Sequence, residues 1–416
     1  MFSMASAAVG LGNLWRFPYM VGEHGGGAFI FAYLICVALI ALPIMLLEVG
    51  AGRMAQGNVV TTFRKVGQIG TAYGWFVVLL TILITSYYLV ITGWTLGYAV
   101  SALQMSVEPF DEFTSGYNSV WYFLIVTILA SLVLIRGVSA IERYAKILMP
   151  ILLLMILGIA ITGMNMEGWA DAREFMFRAE PGALAEPSLW FFALGQAFFT
   201  LAIGQGYLIT YGSYIPRKTH VPRASLTVAG FETGVALLAG AMIFPFVFTY
   251  GFDPDTGSQL AFDTLPRVFG EMPAGEWVAI AFFLLFFAAA FSPCLAGLKV
   301  IVAAFSEEFG MGDARAVLAV GVMMLFLGLP SALSFSPVEW TLFGEPVLDV
   351  LDQLGGTNVV VSSGIIGTGL FCWLYPRPKI AYSLGAKSQF WAYKIFLVGR
   401  SLPFLALGLL GWQLLT

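Results

Sequence analysis

The stretch Ala8-Val9-Gly10-Leu11-Gly12-Asn13 decides how this chain is read, together with a second one, Thr200-Leu201-Ala202-Ile203-Gly204-Gln205-Gly206. Each puts paired glycines in the middle of an apolar run long enough to cross a bilayer. Glycine disfavours a helix by about 1 kcal/mol relative to alanine, so two in close succession permit local unwinding where polar neighbours favour it. Close helix packing through small residues competes as an explanation for either stretch alone. Their placement favours unwinding. One opens the chain and the other opens a second block of five apolar segments, the layout of an inverted 5+5 repeat with its site at the interface. Unwound turns there expose N–H and C=O groups that can hold a carboxylate, an ammonium and bare cations.

Outward from these two stretches, the rest of the 416-residue chain is of the same kind. Hydrophobic residues make up 59% and charged residues 11%, and the mean hydropathy is +0.87. A soluble globular domain does not have this balance. Apolar segments recur over residues 2–22, 28–56, 73–105, 118–135, 144–164, 189–214, 224–251, 275–306, 313–330, 344–374 and 393–415, and a spanning helix needs about 20 residues. The expected fold is therefore all-α and polytopic, with eleven transmembrane helices of which the first and sixth are discontinuous. The expected units are residues 1–165 (helices 1–5), 166–378 (the inverted second repeat, helices 6–10) and 379–416 (an additional eleventh helix).

The first segment has no basic n-region and is interrupted by Gly10, Gly12 and Arg16, so it reads as part of the working protein rather than a signal peptide. Cys36, Cys294 and Cys372 lie in apolar segments without metal-like spacing, and His24 and His220 are isolated, so no disulfide framework or zinc site is expected. No HExxH, no GxSxG and no close carboxylate dyad occurs in the apolar segments, so an enzyme is not expected. Nothing points to nucleic acid. The lipid bilayer is the partner the composition demands, and the oligomeric state is left open.

Basic residues fix the orientation. The connections that share a side with the N-terminus hold fourteen of them, Arg53, Arg64, Lys65, Arg136, Arg143 and Lys146 among them, against Arg173, Arg178 and Arg267 on the other side. The positive-inside rule then puts the N-terminus in the cytoplasm, in the plasma (inner) membrane.

Ala8 to Tyr19, read on through Leu14-Trp15-Arg16-Phe17-Pro18-Tyr19, followed by Gly25-Gly26-Gly27-Ala28-Phe29, resembles the signature of the neurotransmitter:sodium symporter family. Trp94-Thr95-Leu96-Gly97, Phe198-Phe199-Thr200-Leu201, Tyr211-Gly212-Ser213-Tyr214 and Phe286-Phe287-Ala288-Ala289 extend the likeness over nearly the whole chain. It is closest in kind to the bacterial amino-acid carriers with eleven helices. The resemblance implies the leucine-transporter fold and sodium-coupled import of an amino acid, neutral and either hydrophobic or aromatic, by alternating access.

It also implies a site. A first sodium would be held by the Ala8 carbonyl, Asn13, Thr200, Glu232 and the substrate carboxylate, with Glu232 standing where relatives show Asn or Asp. A fixed carboxylate beside that sodium can replace chloride electrostatically, so chloride is not expected to be required. A second sodium would take carbonyls of Ser6, Val9 and Ala288 and the Ser292 hydroxyl, but Phe291 occupies the usual threonine position and offers no oxygen. One or two sodium ions are thus expected.

Backbone N–H groups near Gly10, Leu11 and Gly12 and the Tyr88 hydroxyl would bind the substrate carboxylate, and the Ala8, Phe199 and Thr200 carbonyls its ammonium. Ile84, Ile91, Phe199, Ala202, Gln205, Ser292 and Ala296 would line the side-chain pocket, where Gln205 adds an amide in place of the usual apolar residue. Arg16 with Asp352, flanked by Gln196, would form the outer gate over Phe199 and Tyr88. Relatives carry a cytoplasmic lead that latches the inner gate, for which Met1-Phe2-Ser3 leaves no room, so either the chain is truncated or inner gating differs. The alternatives are proton coupling through Glu232 or Lys299, a channel, and an amino-acid sensor that has lost coupling.

Overall fold

A computed structural model of the chain describes residues 10–136, 139–216, 219–374 and 395–401, with the backbone alone for 139–149 and 374. The spans are α1 (residues 12–23), α2 (Gly27–Ala55), α3 (Gln68–Leu103), α4 (Asn118–Arg136), α5 (Ser139–Gly163) and α6, which comes in two pieces (Pro187–Thr200 and Tyr207–Ser213). They continue with α7 (Val221–Thr249), α8 (Gly275–Phe309), α9 (Asp313–Ser334), α10 (Val347–Trp373) and α11 (residues 395–401). Seven helices among the described residues are long and apolar enough to cross a bilayer. Most of the segment ends expected from the sequence fall within a few residues of these limits. The eleventh, 393–415, is described only at 395–401.

The spans are apolar on their outward faces as well. Leu39, Leu79, Ile128, Leu154 and Phe326 are exposed on α2, α3, α4, α5 and α9, the surface expected of helices solvated by lipid. Short elements between spans meet on one side of the bundle, called here the loop face. There the Trp15 indole donates to the Ser258 carbonyl at 2.6 Å and the Phe110 N–H to Asp263 at 3.2 Å. A two-stranded antiparallel hairpin, β1 (Thr341–Leu342) with β2 (Glu345–Pro346), leads into α10.

On the far face the connection between α2 and α3 is tied to the end of α8. Asn58 caps the short helix Val59–Arg64 by accepting from Thr61 N–H at 2.8 Å and donates to Glu307 at 2.7 Å, and Arg64 pairs with Glu308.

Several helices loosen at mid-span. α2 contains a π-turn at Val37–Ala41, just ahead of Pro43, whose missing N–H removes one rung of the helical ladder. α1 is π-helical over Gly12–Arg16, and α10 over Asp352–Val359, where Gly355 and Gly356 lie. Gly10 is not helical, and residues 1–9 lie outside the described residues, so the first expected break is described on one side only.

Candidate functional site

The break in α6 is complete. Its first piece ends in a Schellman motif: Ile203 N–H reaches back to the Phe198 carbonyl at 2.8 Å, and Ala202 N–H to that of Phe199 at 3.1 Å. This cap needs a left-handed residue, and the residue that supplies it is Ala202, at φ +54°. Gly204 and Gly206 follow at φ +74° and +77°, conformations that glycine takes without a Cβ penalty. Buried peptide groups released by such a turn need new partners. Glu48 of α2 accepts from Gly204 N–H at 2.9 Å, Ser363 of α10 donates to the Gly204 carbonyl at 2.6 Å, and Thr81 of α3 donates to the Gln205 carbonyl at 2.7 Å.

The start of α1 packs directly against this turn. A Cβ on Gly10 would stand 2.6 Å from Pro293 Cγ and 2.8 Å from the Tyr88 hydroxyl, and one on Gly12 would stand 3.1 Å from the Phe199 ring. Both glycines are needed for close approach. The Leu11 N–H donates to the Tyr88 hydroxyl at 3.1 Å. Between these pieces lies a cavity of about 80 Å³, lined by Gly10, Gly12 and Asn13 of α1, Ile84 and Tyr88 of α3, Phe199, Thr200, Ala202 and Gln205 of α6, and Glu232 of α7.

Asn13 Nδ2 donates to Glu232 Oε2 at 2.5 Å. Asn13 Oδ1 and Glu232 Oε1 are buried and without hydrogen-bond partners. Two bare oxygens beside a cavity, one of them on a carboxylate, are costly to bury unless a cation faces them. Oxygen donors suit a hard ion. The Thr200 hydroxyl is held next to them by a 3.0 Å bond from Gln196 Nε2, which also donates to the Gly12 carbonyl at 2.9 Å.

Toward the loop face the cavity is shut. Arg16, fully buried, bonds Asp352 through Nε at 3.0 and 3.1 Å, Gln196 at 2.6 Å and Thr357 at 2.7 Å. Tyr87 donates to Asp352 at 2.8 Å, and Tyr19 donates to it as well. The guanidinium lies 4.7 Å above the Phe199 ring, which closes the cavity from the other side. Beyond the ion pair opens a second cavity of about 580 Å³ toward the loop face, with Glu23, Asp255, Glu345 and Asp349 in its wall.

The structure thus brings together Gly10, Gly12, Asn13, Ile84, Tyr88, Phe199, Thr200, Ala202, Gln205 and Glu232 around one cavity, and Arg16, Asp352 and Gln196 in one cluster. It does not bring Ile91, Ser292 or Ala296 to the cavity wall. Pro293 occupies the approach of α8 to Gly10, while Ile91 and Ala296 are packed into the core. The Leu11 side chain is buried as well, so only its amide faces the site.

Ser6, Ala8 and Val9 lie outside the described residues. Of the second expected ion site, only Ala288 and Ser292 are described, both half-buried. Sequence reasoning missed Glu48, Tyr19, Tyr87 and Thr357. A lone carboxylate inside the apolar run 42–51 was the signal for Glu48, because ionisable residues within the membrane are functional by default.

The family model described as "Sodium:neurotransmitter symporter family" matches residues 1–121 and 115–407. An uncharacterized sodium-dependent transporter of Bacillus subtilis is 33% identical over 386 residues, spanning 89% of this chain and 85% of that protein. The sodium-dependent nutrient amino acid transporter 1 of Drosophila melanogaster is 26% identical, over 90% of this chain and 69% of its own length. The crystal structure of MhsT in complex with L-phenylalanine matches with a TM-score of 0.94 at 34% identity, covering 98% of this chain and 96% of that one.

Proposed function

Because this chain belongs to the sodium:neurotransmitter symporter family, we propose that its split-helix cavity carries a neutral α-amino acid, moved together with sodium by alternating access. The protein is a multi-pass, sodium-coupled transporter of the leucine-transporter fold, and not an enzyme. One observation supports the cavity as the shared site above the others. Asn13 Oδ1 and Glu232 Oε1 stand buried and unpartnered where the α1 start meets the α6 break.

Sodium takes those two oxygens, with the Thr200 hydroxyl and the Ala8 carbonyl completing its shell beside the substrate carboxylate. The carboxylate sits at the Leu11 amide and the Tyr88 hydroxyl, two groups now bonded to each other. The ammonium faces the Ala8, Phe199 and Thr200 carbonyls. That of Phe199 already accepts from Ala202 and has a second lone pair to offer. Relatives named for amino-acid transport, and a structural neighbour holding L-phenylalanine, support the substrate class. A second sodium at Ser6, Val9, Ala288 and Ser292 is weakened by Phe291, and Glu232 makes chloride unnecessary.

The two halves, residues 1–165 and 166–378, rock about the site with the N-terminus in the cytoplasm of the plasma membrane, as the basic-residue asymmetry supports. Arg16 with Asp352 and Gln196 is the gate on the loop face. Sodium and substrate must each bind some conformations better than others for coupling to arise, and sharing the carboxylate does this. Each sodium charge driven inward contributes about 2.3 kcal/mol per 100 mV. Uptake of a panel of radiolabelled amino acids into proteoliposomes, with sodium, chloride and proton gradients imposed singly, tests the proposal. Uptake that ignores the sodium gradient overturns it.

A further inference from the structure

Among the described residues lining the cavity, three buried polar atoms have no hydrogen-bond partner: Asn13 Oδ1, Glu232 Oε1 and Gln205 Nε2. The first two are oxygens and suit a cation. The third is a donor, which no sodium ion can satisfy. Gln205 is almost fully buried, at 4% exposure. Its backbone is pinned, because Thr81 holds its carbonyl and the left-handed Gly204 and Gly206 flank it. The unpartnered amide nitrogen is thus carried on a fixed turn in the cavity wall.

We propose that the substrate is a neutral amino acid whose side chain ends in a carboxamide or a hydroxyl, recognised by Gln205. The inference rests on the amino-acid reading above and narrows it. Leu11 and Tyr88 mark the carboxylate end of the cavity. The turn bearing Gln205 meets α3 at Thr81, seven residues before Tyr88, or about 10 Å along the helix axis. That is longer than the head group of an α-amino acid, so a side chain running along α3 from the Tyr88 end, past Ile84, arrives at Gln205.

An apolar side chain arriving there displaces water and leaves the amide bare. A site built around a buried hydrogen-bonding group discriminates strongly against the analogue that lacks a partner. A carboxamide or hydroxyl both accepts and donates, so it answers this amide. A charged side chain is excluded by the same wall, where Glu232 is the one charged lining residue described and is committed to the cation.

Glutamine and methionine have side chains of matched length, which makes them the probes. Sodium-driven uptake into proteoliposomes is measured for labelled glutamine, asparagine, threonine, methionine and leucine, each also as competitor of the others. Glutamine is expected to outcompete methionine by about 10-fold or more. Gln205→Met is expected to erase or invert that ratio, and Gln205→Asn to keep the polar preference at reduced affinity. Methionine or leucine matching glutamine in the native protein overturns the inference and leaves the amino-acid reading standing. An unchanged ratio in Gln205→Met does the same. Absence of sodium-driven uptake of any α-amino acid overturns both. Should Gln205→Met fail to fold, the native ratio alone decides.

Discussion

Asp352→Asn removes one charge from the loop-face cluster and keeps its shape. Arg16 is fully buried and Asp352 is 3% exposed, with the guanidinium bonded to the carboxylate at 3.0 and 3.1 Å. Taking one member from such a pair leaves a buried charge uncompensated, at a cost of about 3–5 kcal/mol. The asparagine oxygen still accepts from Tyr87, so the lower figure applies. If the pair separates whenever the gate opens, the penalty falls on the closed state alone. At about 1.36 kcal/mol per decade, 3 kcal/mol shifts the balance toward the open state by roughly 10²-fold.

Ile84→Cys places a thiol inside the cavity beneath Phe199, and the native Cys36, Cys294 and Cys372 are buried, which keeps background labelling low. The rate of modification by a membrane-impermeant thiol reagent applied from the loop face then reports opening. It should rise by about 10² in the double variant. A rate within twofold of Ile84→Cys alone, in protein that still binds substrate, would show that the pair is a permanent clamp between α1 and α10.

Asn13→Ala should abolish sodium-stimulated uptake, and retained stimulation would remove Asn13 from the ion site. Glu232→Gln takes away the fixed anion, so uptake should fall at least about tenfold and recover in part when chloride is supplied; indifference to chloride would refute that role. Phe291→Thr restores an oxygen to the second ion site and should raise apparent sodium affinity in titrations of uptake, whereas an unchanged curve means that no ion uses it. Gly10→Ala, whose Cβ would stand 2.6 Å from Pro293 and 2.8 Å from the Tyr88 hydroxyl, should eliminate substrate binding in a scintillation proximity assay, and near-native affinity would show that α1 and α8 can part there without harm.

The spans were legible because lipid imposes one simple requirement, a long apolar helix, and composition alone reveals it. The α6 break was legible through Gly204 and Gly206. Ala202 was not, because nothing marks an alanine as left-handed until the cap around it is seen. Arg16 demanded a partner, but Tyr19, Tyr87 and Thr357 look like ordinary residues of apolar helices until they converge on that cluster. Ser292 and Ala296 of α8, expected at the side-chain pocket, are not in the wall of this cavity, and the reason is geometric. Helical spacing gives the faces of a helix, and which face meets the cavity depends on how closely Gly10 lets Pro293 approach, which only packing determines.

The α6 turn is secured to Glu48 on α2, to Ser363 on α10 and, through its next carbonyl, to Thr81 on α3. In mechanical terms it is a pinned joint and not a slack link. Any swing of α2 relative to α3 must either drag the turn along or release one of its pins. Shortening the α2 pin by one methylene, as in Glu48→Asp, would therefore move the pivot of α6 while leaving the cavity wall chemically intact.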